Sequence, residues 1–108
     1  MKTSYFAKPG IKENPAAVSI ALYPPRWWGK GRRAPELAPT KAMLNAGYDY
    51  DEYLALLESR GLDPAEVYHQ LKDKIICCWE KSGKPCHRYM VAHWLESSLG
   101  LDAVQELE

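Results

Sequence analysis

The sequence predicts an α/β fold: a small single domain with a mostly parallel sheet flanked by helices in Rossmann-like layering. Three observations lead there. Residues 16–23 (AAVSIALY) and 75–79 (IICCW) are nearly continuous apolar runs, the pattern of strands covered on both faces. Helical signals fill the interval between them and follow the second run. Strands separated by helical stretches pair in parallel through right-handed crossovers, and 108 residues suit one domain.

Each element has its own warrant. Thr3-Ser4-Tyr5-Phe6-Ala7 is a short β-prone segment closed by the turn residues Lys8-Pro9-Gly10. The run over 16–23 stops at Pro24-Pro25, because proline cannot supply a ladder N–H. A loop rich in Pro, Gly and Arg follows over 24–36, and loops that long in compact domains are usually functional or mobile. Pro39 stands where a helix begins, and Gly47 supplies its C-cap. Asp51 to Arg60 carries Tyr53, Leu54, Leu56 and Leu57 and is followed by Gly61. Asp63-Pro64-Ala65-Glu66 is the clearest helix start: Asp63 accepts from first-turn N–H groups and Pro64 takes the first helical position. That helix runs through Val67, Tyr68 and Leu71. After the strand at 75–79 comes a polar loop over 80–85, then a helix over about 86–99 with Met90, Val91, Trp94, Leu95 and Leu99 on one face. Gly100 ends it, and residues 101–108 read as a short tail.

Composition narrows the function classes. With 46% hydrophobic and 26% charged residues, wholesale disorder is excluded. No run approaches the roughly 18–20 apolar residues of a membrane span. The opening MKTSYFAKPG has no apolar stretch of a signal peptide. Three cysteines cannot all pair within one chain, so they are expected to be cytoplasmic thiols. An exposed edge strand in so small a sheet leaves dimerisation open.

Charge is balanced overall but not along the chain. Residues 1–48 hold eight Lys or Arg against two acidic residues, net +6, and residues 49–108 hold six against twelve, net −6. Such asymmetry marks an anion-facing side or two solvated faces that attract each other. The densest cluster is Arg26-Trp27-Trp28-Gly29-Lys30-Gly31-Arg32-Arg33. Arg26, Lys30, Arg32 and Arg33 suit phosphates while Trp27 and Trp28 suit stacked bases, so nucleic acid is one candidate partner. The same tryptophans also suit a core cap.

In parallel sheets ligands sit beyond the carboxyl ends of the strands. The loops over 24–36 and 80–85 both leave such ends, so both are expected to border one crevice. Cys86-His87-Arg88 opens the final helix there. Free N–H groups and the positive end of a helix dipole stabilise an anion or a thiolate. Three readings fit Cys86: a nucleophile, a spectator beside an anion held by those N–H groups and Arg88, and a small packed residue. Glu80 and His87 are the candidate proton movers. Tyr5, Tyr23 and Trp27 are candidate cavity walls or core.

Cys77 and Cys78 are adjacent on a strand and point to opposite faces, so only one reaches the layer of the last helix. Cys78 at the strand end is the candidate redox partner of Cys86, although the spacing is not the compact one of thiol oxidoreductases. Cys78, Cys86, His87 and His93 are four potential metal ligands, yet the paired short spacings of structural zinc are missing. His69 and His93 read as surface or partly packed residues. No metal and no other cofactor is predicted.

The residues Thr3-Ser4-Tyr5-Phe6-Ala7, Val18-Ser19-Ile20-Ala21 running to Pro25-Arg26-Trp27, Leu37-Ala38-Pro39, and the block Cys78-Trp79-Glu80-Lys81 with Cys86-His87-Arg88, Val91-Ala92 and Trp94-Leu95 together resemble the domain of unknown function 488 family. The resemblance spans about residues 3–96 and implies a small α/β domain without an established activity. The family pattern carries an Arg and a Ser after the second strand, where this chain has Leu22 and Tyr23. An anion contacted there in relatives would need Arg26 or Arg32 in this chain. The compact length suits a phage or mobile-element version.

The function expected from these readings is binding of a small anionic or nucleotide-like ligand in a crevice centred on Cys86, His87 and Arg88, extending to cysteine-dependent catalysis. The alternatives are a nucleic-acid- or nucleotide-binding module built on the loop from Arg26 to Arg33, and an interaction protein in which the cysteines only pack.

Overall fold

Four short strands lie side by side, all parallel, in the order β2-β3-β1-β4: β1 is Lys2–Tyr5, β2 Ala17–Ser19, β3 Ile75–Cys78 and β4 Gln105–Glu106. The helices are α1 (Lys41–Ala46), α2 (Tyr50–Ser59), α3 (Pro64–Leu71) and α4 (His87–Leu99), with a 3-10 turn at Pro35–Leu37. This computed structural model describes residues 1–81 and 86–108, so residues 82–85 of the expected strand-to-helix loop lie outside the described residues. The small α/β fold read from the sequence is the fold observed.

Helix ends follow their capping chemistry. Thr40 Oγ1 accepts from the Met43 N–H at 3.1 Å, Asp49 Oδ1 from Glu52 at 2.8 Å, and Asp63 Oδ1 from Ala65 at 3.2 Å. Gly100, at φ 66°, closes α4 in the left-handed region that a side chain would resist.

Alternation along β3 splits the core in two. Ile76 and Cys78 face a cluster with Val18, Tyr53, Leu57, Val67, Leu71, Val91, Trp94 and Leu95, to which helices α2–α4 contribute. Ile75 and Cys77 face a second cluster with Phe6, Ile11, Ala17, Ala21 and Trp28. Helices therefore flank one face, and irregular segments around Ile11 and Trp28 cover the other. The cause lies in the β1–β2 connection, where Pro9, Gly10 and Pro15 within about ten residues leave no room for a crossover helix.

Two elements depart from expectation. The strand expected over 16–23 pairs only through Ala17–Ser19, with Ile20 N–H still reaching the Cys77 carbonyl at 3.1 Å. Ser19 Oγ then captures the Ala21 N–H at 3.2 Å, a local side-chain turn that ends the ladder. The presumed tail contributes β4, held by Leu107 N–H to the Thr3 carbonyl at 2.8 Å.

Candidate functional site

Cys78 is the last residue of β3, and Cys86 is the N-cap of α4. Because Cys78 faces the helical layer, its Sγ joins that of Cys86 in a disulfide, with the Cα atoms 7.1 Å apart. Cys77 points into the opposite cluster, as the strand alternation requires. Burial pushes the Cys77 thiol up to about 12, against a smaller downward pull from Arg88 and Arg32, so it stays protonated.

His87 is buried beside the pair. Its Nε2–H donates to the Ile20 carbonyl at 2.6 Å, which leaves Nδ1 as the lone-pair nitrogen, 3.8 Å from Cys86 Sγ. Burial lowers its pKa to about 4, the Ile20 carbonyl opposing this and Arg88 reinforcing it. His87 is thus neutral at pH 7, a lone-pair donor toward sulfur and a weak proton carrier.

Arg88 is fully buried, and its donors are engaged within the chain. Nε and Nη2 reach Glu106 Oε1 and Oε2 at 3.1 and 2.9 Å, Nη1 reaches the Glu80 carbonyl at 2.7 Å and Cys78 Sγ at 3.0 Å, and Nη2 also reaches the Tyr89 hydroxyl at 2.8 Å. Glu106 accepts further bonds from Thr3 Oγ1 at 2.5 Å and Tyr89 Oη at 2.7 Å. A guanidinium placed this way tethers β4 to α4 and puts positive charge against the Cys78 sulfur. The anion that Arg88 holds is Glu106, an internal one.

The two sulfurs and His87 line a cavity of about 250 Å³ at the carboxyl ends of β2 and β3. Ala21, Leu22, Pro39, Leu44 and Tyr48 supply apolar walls, with Tyr23, Trp79 and Glu80 along the side left by the strand ends. Trp79 Nε1 donates to the Tyr23 carbonyl at 2.8 Å and joins those two strand ends. Tyr23, Leu44 and Trp79 remain largely exposed, an apolar grouping of the kind that marks a ligand groove. Glu80 is exposed and belongs to the lining.

The basic loop goes elsewhere. Of the two loops expected to border one crevice, the one after β3 does so through Glu80, whereas no residue of 24–36 lines the cavity; the β2 side is supplied by Ala21, Leu22 and Tyr23 instead. Buried Trp28 covers the opposite face of the sheet, packing edge-on against Phe6 with ring centroids 5.0 Å apart, and the loop then runs back along the β2 edge, where Arg33 bridges Ser19. Arg32 lies over the Trp28 ring at 4.5 Å and donates to the Asn14 and Lys12 carbonyls at 2.6 and 3.1 Å, holding the loop together. Arg33 reaches the Leu22 carbonyl at 3.3 Å. Arg26, Trp27 and Lys30 are exposed, with Lys12 over the Trp27 ring at 5.5 Å. Neither Arg26 nor Arg32 stands in the cavity in place of an arginine at Leu22 or Tyr23. Tyr5 lies at the end of β1 outside the lining. His93 packs against Tyr50, centroids 4.9 Å apart.

Sequence reasoning missed Glu106 and the Ile20 carbonyl. A single carboxylate in the segment Val104-Gln105-Glu106-Leu107 gives only a weak alternating signal, and a backbone carbonyl gives none. Among the described residues, no helix is long and apolar enough to cross a membrane. Comparison with known protein families, curated proteins and solved structures finds no match to this chain.

Proposed function

We propose that this chain is a short relative of the domain of unknown function 488 family and acts in the cytoplasm as a cysteine-dependent enzyme on a small anionic or nucleotide-like substrate. The observation that carries the reading is the meeting of Cys86, Cys78 and the lone-pair nitrogen of His87 on the wall of an apolar cavity at the sheet's carboxyl edge. Cys86 is the nucleophile, because it is the partly exposed thiol of the pair and sits at the N-terminus of a 13-residue helix. His87 Nδ1 orients that thiol, and Glu80 receives its proton at the mouth. The substrate's anionic group lies against the first N–H groups of α4, and its apolar body against Tyr48, Leu44 and Leu22.

Titration calorimetry of the reduced chain with adenosine monophosphate and with inorganic phosphate tests this reading. Binding is expected, and it should disappear once Cys86 carries a carboxamidomethyl group that fills the cavity. Binding that survives this modification but is lost on changing Arg26, Lys30 and Arg33 to Ala would move the ligand to the basic loop and overturn the reading.

A further inference from the structure

We infer that, once the Cys78–Cys86 pair is reduced, Cys78, Cys86 and His87 form a three-ligand site for a thiophilic divalent cation, Zn²⁺ by its donor set, with the fourth position open to the cavity. Their ligand atoms all lie within 4.8 Å of one another. Two thiolates and one imidazole around zinc, at about 2.3 Å and 2.0–2.1 Å, place sulfur and nitrogen roughly 3.6 Å apart, close to the 3.8 Å between Cys86 Sγ and His87 Nδ1. The Cα atoms of Cys78 and Cys86, 7.1 Å apart, lie just beyond the roughly 4.4–6.8 Å usual for disulfides. Two cysteines that share an ion are free of that limit.

Two observations outside the ligand set point the same way. The Nε2–H of His87 is fixed by the Ile20 carbonyl, the outer hydrogen bond that selects the tautomer and aims the other nitrogen of a metal-binding histidine. Arg88 Nη1 donates to Cys78 Sγ, a charge-assisted contact suited to a thiolate ligand. The site uses the cavity of the proposed function but does not depend on a reaction at Cys86. A sulfur bound to zinc is not free to attack, so occupancy switches the nucleophile off, whereas water or a substrate anion can complete the tetrahedron.

Anaerobic titration of the reduced full chain with Co²⁺, followed by Zn²⁺, tests the site. One equivalent of Co²⁺ should give thiolate-to-metal charge-transfer absorption and the visible bands of a tetrahedral ion, and Zn²⁺ should abolish both. Cys86→Ser keeps an N-cap oxygen and should fold, yet it should weaken Zn²⁺ binding more than about 100-fold, beyond the 10–100-fold of losing an outer partner. Zn²⁺ should protect Cys86 from alkylation in the unaltered chain and equally in the His69→Ala, His93→Ala variant. A folded, reduced chain without charge-transfer absorption, or one whose Cys86 alkylates equally fast with Zn²⁺ present, overturns the inference. Failure here with fast alkylation of metal-free Cys86 leaves the nucleophile reading standing. A metal site with an inert metal-free Cys86 does the reverse.

Discussion

Cys77, Cys78 and Cys86 show how position sets the behaviour of one side chain. Cys77 is sealed in the second core cluster with its thiol held protonated, whereas Cys86 caps a helix beside a cavity. Because serine is a better N-cap than cysteine, Cys86→Ser should change the stability of the reduced chain by no more than about 0.5 kcal/mol, as read by urea unfolding. A loss of several kcal/mol would mean that Cys86 is packing material. His87 gives a pH prediction for the metal-free chain. Its pKa falls from 6.5 to about 4 on folding, so between those values the unfolded chain binds more protons and stability rises with pH. The contribution is complete above pH 6.5, declines as pH falls toward 4, and amounts to about 3 kcal/mol at 1.36 kcal/mol per unit. His87→Gln should flatten that part of the stability profile, and an unchanged slope would show that His87 is not the group responsible. The two adjacent tryptophans also separate. Trp28→Ala should cost about 3–5 kcal/mol by emptying a core position, while Trp27→Ala, at an exposed site, should be nearly neutral in the same denaturation.

Among the elements, α4 was the most legible and β4 the least. Gly100 and the apolar positions Val91, Trp94 and Leu95 announced α4, and Asp63-Pro64 announced α3. Local chemistry was enough in both cases, because caps and periodicity act within a few residues. β4 has two residues and pairs with a strand about a hundred positions earlier, so nothing local marks it. β2 is shorter than its apolar run because Ile20 and Ala21 are buried like strand residues although the Ser19 side chain has already turned the backbone. What holds β4 is Glu106 on Arg88, an ion pair buried on the arginine side and 22% exposed on the other. Removing one partner of a buried pair costs roughly 3–5 kcal/mol. Partial exposure of Glu106 places Glu106→Gln near the lower end, about 3 kcal/mol by chemical denaturation, and a loss below about 0.5 kcal/mol would show that the pair does not hold the edge strand.

At the scale of the whole molecule, topology was the most informative part of the sequence. Parallel strands order their carboxyl ends along one edge, and the cavity lies there. The expectation that the basic loop shares the cavity failed because a loop leaving a strand end can fold over either face. Trp28 fixes this one on the face opposite the helices. Charge asymmetry between the two halves was equally uninformative about the site: Arg88 and Glu106 both belong to the acidic half, so their pairing owes nothing to it. The cavity therefore joins the end of β2, the end of β3 and the start of α4 around two sulfurs and a neutral imidazole, and its chemistry turns on Cys86. Peptide-resolved alkylation of the reduced, metal-free chain by iodoacetamide at pH 7 reads that thiol. Cys86 should react faster than a free-thiol peptide, Cys77 should not react in the folded chain, and adenosine monophosphate should slow Cys86. A Cys86 that reacts no faster than the peptide, with or without the nucleotide, would contradict the proposed function.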